Sequence, residues 1–284
     1  MTELAHPPAP RQVTRSGRDL PVATAVGVAL LAAVILSLFI RKEVFVAFAL
    51  VAVGASLWEL AQAFARRDMH LALLPLLVGS VGILVSAYVA GSEALLVSFM
   101  LTAGGVVVWR VLDGHGPAAL RDATAGVFAA AYLPFLAGFV MLMLQMPDGA
   151  RRVMLLVMLA VASDVGGYAS GVLFGRHPLA PSVSPKKTWE GLAGSVLLSC
   201  AVGVVGMLLA FGVSPWIGLG LALATVTTAT VGDLSESLIK RDLELKDMGS
   251  LLPGHGGVLD RLDSILLTAP VVYFILMVYL PVGD

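Results

Sequence analysis

Apolar residues recur along the chain in long uninterrupted stretches, and polar residues collect between them. A membrane-spanning helix needs roughly 20 mostly apolar residues. Runs of that kind fall at 20–40, 43–64, 70–90, 93–111, 123–146, 151–174, 190–212, 214–235 and 262–281. Gly104, Gly105 and Pro134 interrupt the fourth and fifth. The pattern predicts an all-α, polytopic integral membrane protein with about nine transmembrane helices, since a helix satisfies its own backbone in lipid. Residues 1–19, with Pro7, Pro8, Pro10 and three arginines, read as a flexible cytoplasmic N-terminal tail. The run that follows is too long for a signal-peptide core, so no cleavage is expected.

Composition supports the pattern. Only 13% of the 284 residues are charged and 58% are hydrophobic, whereas soluble domains carry about 25% charged residues. A net charge of −1 provides no basic surface for nucleic acid, which is not an expected partner. Cys200 is the one cysteine, so no disulfide framework is possible. The Lys and Arg residues orient the chain. With the N-terminus inside and nine crossings, fourteen of the eighteen fall inside and four (Arg41, Lys42, Arg151, Arg152) outside. The two most polar loops, 175–189 and 236–261, then share the cytoplasmic side. Trp58, Trp109, Trp189 and Trp216 fall near span ends, where an aromatic belt is expected.

Charge is concentrated near the C-terminus. Residues 233–263 are 31 positions with eleven charges, where 13% of 31, or about four, would match the chain average. Ser237, Lys240 and Arg241 follow Asp233 at i+4, i+7 and i+8, on one helical face. Asp260 and Asp263, at i and i+3, share a face at the start of the last span. Between Arg241 and Asp260 lie Lys246 and Pro253-Gly254-His255-Gly256-Gly257. Glycines there let the backbone approach a ligand, and successive N–H groups make an anion nest. Acidic groups at membrane depth mark a functional site by default. Asp233, Asp260 and Asp263 suit a hard divalent cation such as Mg²⁺. The alternative is a salt bridge from Asp260 or Asp263 to Arg261 or Lys240. Thr225, Thr227, Thr228 and Thr230 are candidates to line a polar pocket before Asp233.

Two further features add to this. The stretch Ser184-Pro185-Lys186-Lys187-Thr188-Trp189-Glu190-Gly191 sets lysines beside hydroxyls, which suits phosphate binding; contact with anionic lipid is the other reading. Asp164, in Ser163-Asp164-Val165-Gly166-Gly167-Tyr168, lies mid-span, where it either serves the site or bonds a neighbouring helix that the glycines let come close. Glu59 in the second span is open between the same two readings. His70, His115 and His177 read as surface residues.

Clustered carboxylates, cationic donors and a glycine nest at one membrane face describe a phosphate site. Phosphoryl-type transfer rests on positioning and charge neutralisation, and a divalent metal can bridge phosphate oxygens. A phosphate monoester acceptor, with a second pKa of about 6, needs no general base.

The segments Ser237-Leu-Ile-Lys240-Arg241, Lys246-Asp247-Met-Gly249 and Leu252-Pro253-Gly254-His255-Gly256-Gly257-Val258-Leu-Asp260-Arg261-Leu262-Asp263 together resemble the signature of the phosphatidate cytidylyltransferases, or CDP-diacylglycerol synthases, without departure. The 184–191 stretch and Asp164-x-x-x-Tyr168 also resemble family motifs, although Val165 and Gly167 replace the usual small hydroxyl residue and alanine. The resemblance is clear over about 160–265. It implies that CTP and phosphatidate give CDP-diacylglycerol and pyrophosphate in phospholipid biosynthesis. It implies Mg²⁺ dependence with K⁺ as a candidate second cation, a homodimer in the lipid bilayer, and a site open to cytoplasm and bilayer. Carried over, Asp233 and Asp260 would hold the metals with Asp263 close by. Lys240, Arg241, Lys246 and His255 would contact phosphates, and Ser184, Lys186, Lys187, Thr188, Ser237 and Asp164 would help bind substrate. The chain thus divides into the tail, N-terminal transmembrane helices over 20–150 and a C-terminal catalytic transmembrane region over 151–284. Its Ala/Val/Leu-rich spans suit a bacterial plasma (inner) membrane. Two other readings are a secondary transporter of an anionic solute and a CTP-dependent lipid kinase of the polyprenol or phytol type. No repeat is visible, and the polar residues crowd one face rather than the midplane, which weighs against the transporter. The 253–263 segment weighs against the kinase.

Overall fold

A computed structural model describes residues 20–114, 116–252 and 256–280, with side chains from Ala25 onward. The tail 1–19, His115 and His255 lie outside the described residues. The apolar runs form α1 (Leu20–Ile40), α2 (Lys42–Ala65), α3 (Leu73–Asp113), α4 (Pro117–Ala130), α5 (Leu136–Gln145), α6 (Gly149–Phe174), α7 (Trp189–Gly206), α8 (Pro215–Asp242) and α9 (Leu259–Tyr279). Among the described residues seven stretches are long and apolar enough to cross a membrane, and Ala25–Ile40 is a shorter apolar helix.

The all-α, multi-pass architecture stands, and the count differs from nine for a local reason. Runs 70–90 and 93–111 merge into α3, 41 residues long, which as a straight rod would measure about 60 Å, twice the roughly 30 Å hydrocarbon core. Gly91 breaks it at φ 85°, ψ −161°, a backbone region open essentially to glycine alone. The two arms then fold back on each other. Ser86 Oγ meets Ser98 Oγ at 2.9 Å, and Gly79 lies against Thr102. Pro134 does not end its run either. Residues Ala131–Phe135 form a π-helical turn between α4 and α5, which accommodates the N–H that proline lacks.

The α4–α5 rod runs through the interior, where Leu133 and Met141 to Leu144 are fully buried. Outward faces show the reverse. Leu112 and Leu209 are more than four-fifths exposed, as expected where lipid rather than water surrounds the helices. Polar contacts collect at two opposite ends. One end holds Arg67–Glu244 at 2.8 Å, the Arg110–Asp122 pair and the His70 N–H on Asp122 at 3.0 Å. The other holds Lys42 on the carbonyl of Met146 and Arg151 on that of Ala210 at 3.3 Å.

Arg152 lies at this second end and is 2% exposed. Its guanidinium donates to Asp148 at 2.7 Å and to the carbonyl oxygens of Leu276 and Leu280, at 3.4 and 2.9 Å, at the C-terminus of α9. Arg152→Leu removes the donor to Asp148 and to the Leu280 carbonyl. We expect it to cost about 3 kcal/mol of stability and to lower the thermal midpoint in detergent, with activity per folded molecule retained.

One element lies outside the all-α expectation. The loop after α6 holds a short antiparallel hairpin, β1 (Pro178–Ala180) and β2 (Ser184–Thr188), with Pro178 opposite Thr188 and Ala180 opposite Ser184.

Candidate active site

Small residues bring α6 and α7 into close contact. A Cβ on Gly166 would meet the backbone of Gly194, and a Cβ on Gly194 would meet Ser170. Ser195 Oγ donates to the Ser163 carbonyl at 2.6 Å, a bond between helices of the kind that holds spans together in lipid. The glycines after Asp164 thus serve packing, and Asp164 itself stays exposed to the cleft it lines. The hairpin is tied to α7 by Glu190. Its Oε2 accepts the N–H groups of Arg176 and His177 at 3.1 and 3.3 Å, and its Oε1 lies 2.6 Å from His177 Nδ1. Thr188 caps α7, its hydroxyl accepting the Gly191 N–H at 3.1 Å.

These contacts shape a cleft of about 340 Å³ lined by Ser184, Lys186, Lys187 and Thr188 from the hairpin, Ser163, Asp164 and Tyr168 from α6, Ser195 from α7, and Thr230 and Asp233 from α8. Lys187 Nζ is paired with Asp233 Oδ2.

Behind the cleft, α8 and α9 approach closely enough that a Cβ on Gly232 would meet the Asp263 carbonyl. Asp263 is buried beside Glu236, with Asp233 and Asp164 in electrostatic reach. Glu236 is 2% exposed. One of its oxygens accepts from Lys240 Nζ at 2.6 Å, and the other has no hydrogen-bond partner among the described residues. Carboxyl groups this close need a shared proton or cation. Asp260 has a different task. It accepts from Lys240 Nζ at 3.0 Å, from the Met248 N–H at 3.0 Å and from the Gly257 N–H at 2.8 Å. It ties Met248 and Gly257 of the 243–258 loop to the start of α9, and the salt-bridge reading is realised at Asp260.

Among the described residues no three Asp, Glu, His or Cys side chains already converge as a metal cage. The donor set fits Mg²⁺ all the same. That ion takes one or two carboxylates and completes its shell with waters and phosphate oxygens. Asp164, Asp233, Glu236 and Asp263 interact as a group, and Glu236 lies against the Asp263 carboxyl, so the two acids present acceptor oxygens side by side.

The structure therefore gathers six of the residues expected from sequence into one cleft: Asp164, Ser184, Lys186, Lys187, Thr188 and Asp233. Asp263 lies next to it through Asp233. The expected face of Asp233, Ser237, Lys240 and Arg241 divides instead. Lys240 turns to Glu236 and Asp260, Ser237 is half-buried outside the cleft lining, and Arg241 and Lys246 are exposed. Helical spacing sets which residues share a side, and the packing of α9 decides which of them it covers. Of the four threonines, Thr230 alone lines the cleft. Thr228 bonds Thr268 at 3.0 Å, and Thr227 bonds back to the Leu223 carbonyl. Glu236 and Glu190 were not singled out from sequence. The i, i+4 spacing of Glu236 to Lys240 does not set it apart from a solvated helix face; the signal for Glu190 is its place inside the 184–191 stretch.

A second concavity adjoins the first. An apolar groove of about 550 Å³ runs between α1, α2, α6 and α9, lined by Leu31, Phe48, Ala55, Val161 and Ile265 among others. Its polar end is Asp164, Arg261 and Ser264. Asp164 is common to both concavities.

The chain as a whole is similar to known proteins. A family model described as the cytidylyltransferase family matches residues 21–279. A phosphatidate cytidylyltransferase of Mycobacterium leprae is 38% identical over 281 residues, 94% of this chain and 90% of the relative. The protein of that name from Mycobacterium tuberculosis strain H37Rv is 37% identical over 93% of this chain and 84% of its own. One from Haemophilus influenzae is 40% identical over 154 residues, 50% of this chain and 52% of the relative.

Proposed function

The chain belongs to the cytidylyltransferase family, and from that premise we propose that it transfers CMP from CTP to phosphatidate. The products are CDP-diacylglycerol, for phospholipid biosynthesis, and pyrophosphate. The observation that carries this reading is the cleft that sets Lys186 and Lys187 opposite Asp164 and Asp233 inside the helix bundle. A triphosphate needs cations and hydroxyl donors, and the hairpin supplies both.

The phosphatidate phosphate, largely a dianion at neutral pH, attacks the α-phosphorus of CTP. The new P–O bond forms as the bond to the β-phosphate oxygen breaks, and pyrophosphate leaves with that electron pair. No proton needs to move. The difficulty is bringing two anions together, and the protein's contribution is positioning and neutralisation. Lys187 can move from Asp233 to a phosphate oxygen, which frees the Asp233 carboxylate. Asp233 and Asp263, with Glu236 beside them, would hold Mg²⁺. Asp260, its oxygens engaged by the loop, would act close by, and K⁺ is a candidate second cation. Bound there, the divalent ion would offset charge on the phosphate oxygens. The apolar groove suits the acyl chains, with Arg261 and Ser264 at the headgroup end, so that lipid and nucleotide meet at Asp164.

The same reading sets the lysine-rich end in the cytoplasm, on the strength of the Lys and Arg bias, and has the protein as a homodimer in a bacterial plasma membrane. Purified protein in detergent is expected to form CDP-diacylglycerol and pyrophosphate in equal amounts, only with a divalent cation, and to stop on chelation. Absence of product across Mg²⁺, K⁺ and detergent conditions would overturn the proposal. Release of CDP with a phosphorylated lipid would identify a kinase instead.

A further inference from the structure

Glu59 is an acid in the last third of an apolar helix, α2, and is 1% exposed. It lies about 10 Å, seven residues at 1.5 Å each, inside the end marked by Arg66. A buried acid there is costly, and a leucine would fill the space without that cost. What it touches is the loop between α8 and α9. Glu59 Oε2 accepts the N–H of Leu259 at 3.0 Å, across 200 residues of sequence. Leu259 is the first residue of α9, so the carboxylate meets an end whose N–H groups lack helical partners and whose dipole favours negative charge. Asp260 follows at once and Asp263 one turn later.

The glycines of the loop fit this contact. A Cβ on Gly249 would collide with the side chain of Glu59, which supplies its three nearest atoms. A Cβ on Gly257 would collide with Glu59 and also crowd Asp260. Asp260 holds the same two stretches through Met248 and Gly257. The loop is thus gripped between two carboxylates, one from α9 and one from α2. The ion pair from the turn after α2 to this loop, Arg67–Glu244, joins side chains 44% and 81% exposed and is worth little.

We propose that Glu59 is a positioning residue. Through the Leu259 N–H and the space vacated at Gly249, the N-terminal helices set the start of α9 and hence the aim of Asp260 and Asp263. This rests on the activity proposed above for its kinetic consequence and on geometry alone for its structural one.

The test uses the full chain in detergent as wild type, E59Q, E59A, G249A and the E59A/G249A double variant. E59A is expected to lower kcat about 10- to 100-fold, the worth of a hydrogen bond to a charged group. The KM for CTP stays within about twofold, because Lys186 and Lys187 line the cleft from the hairpin rather than from the loop. E59Q keeps an amide oxygen for the same N–H and recovers most of the loss. G249A is as damaging as E59A, and the double variant is no worse than E59A, since the clash is gone. Hydrogen exchange across 245–262 rises in E59A and G249A and not in E59Q. Wild-type kcat in E59A would overturn the proposal, as would additive losses in the cycle, or a loss that follows the thermal midpoint and is not rescued by E59Q. A wild type with no CTP-dependent product would sink the activity reading, and the exchange measurement would still decide the role of Glu59.

Discussion

Asp233→Asn is expected to lower turnover about 10³-fold, on the scale of losing a group aimed at developing charge, without raising the KM for CTP. Asp233 is the acid through which the charges of the site are joined. It lines the cleft, pairs with Lys187, and lies in electrostatic reach of Asp164 and Asp263. Its side chain is 26% exposed, so neutralising it removes a charge without opening a cavity, and the thermal midpoint should hardly move. The amide keeps the shape and loses the charge that offsets the meeting of two anions. Lys187, released from its partner, remains free to meet a triphosphate. A loss in kcat with KM flat or lower is the sign of an interaction used in the transition state. Steady-state kinetics over a range of CTP, beside a melting curve, measures both. A kcat within tenfold of wild type would remove Asp233 from the reaction.

Lys187→Ala should act on the other side of the same pair. We expect the KM for CTP to rise about 30- to 150-fold, the worth of a charge-assisted hydrogen bond to phosphate. If Lys187 served only to hold Asp233, its removal would have no effect in the Asp233→Asn background. The geometry predicts otherwise. Lys186 and Lys187 stand on the hairpin wall of the cleft and Asp233 on the α8 wall, so Lys187 faces substrate on its own account. The KM effect should appear in both backgrounds, and a KM that changes only when Asp233 is intact would reduce Lys187 to a partner of that carboxylate.

Much of the bundle was legible in the chain. Bilayer thickness sets the length of each apolar run and water excluded from lipid forces it into helix, so seven helical stretches and the two α3 arms fall where hydropathy puts them. The hairpin at 178–188 was not legible, since two short strands carry too few alternating positions to stand out. The turn at Gly91 was written as a single glycine among apolar residues, and only its φ shows why the helix breaks there. Within the site, the lysines of 184–188 and the acids at 164 and 233 were readable because each is out of place in an apolar or membrane-facing setting. Glu236 was hidden because an acid four residues before a lysine looks like an ordinary solvated helix face.

The segment 233–263 shows where the boundary lies. By itself the sequence determined that this chain spans a membrane many times, that its charge collects at one end, and that acids and cations crowd that segment, because these follow from composition and from the period of a helix. Which carboxylate does what was decided only by tertiary structure. Asp260 and Asp263 share a helix face, yet one closes the loop on Met248 and Gly257 while the other lies beside Glu236. Lys187 meets Asp233 from 46 residues away and Glu59 meets Leu259 from 200. Spacing along a chain fixes a direction from the helix axis, and the group waiting in that direction belongs to whichever helix packs there.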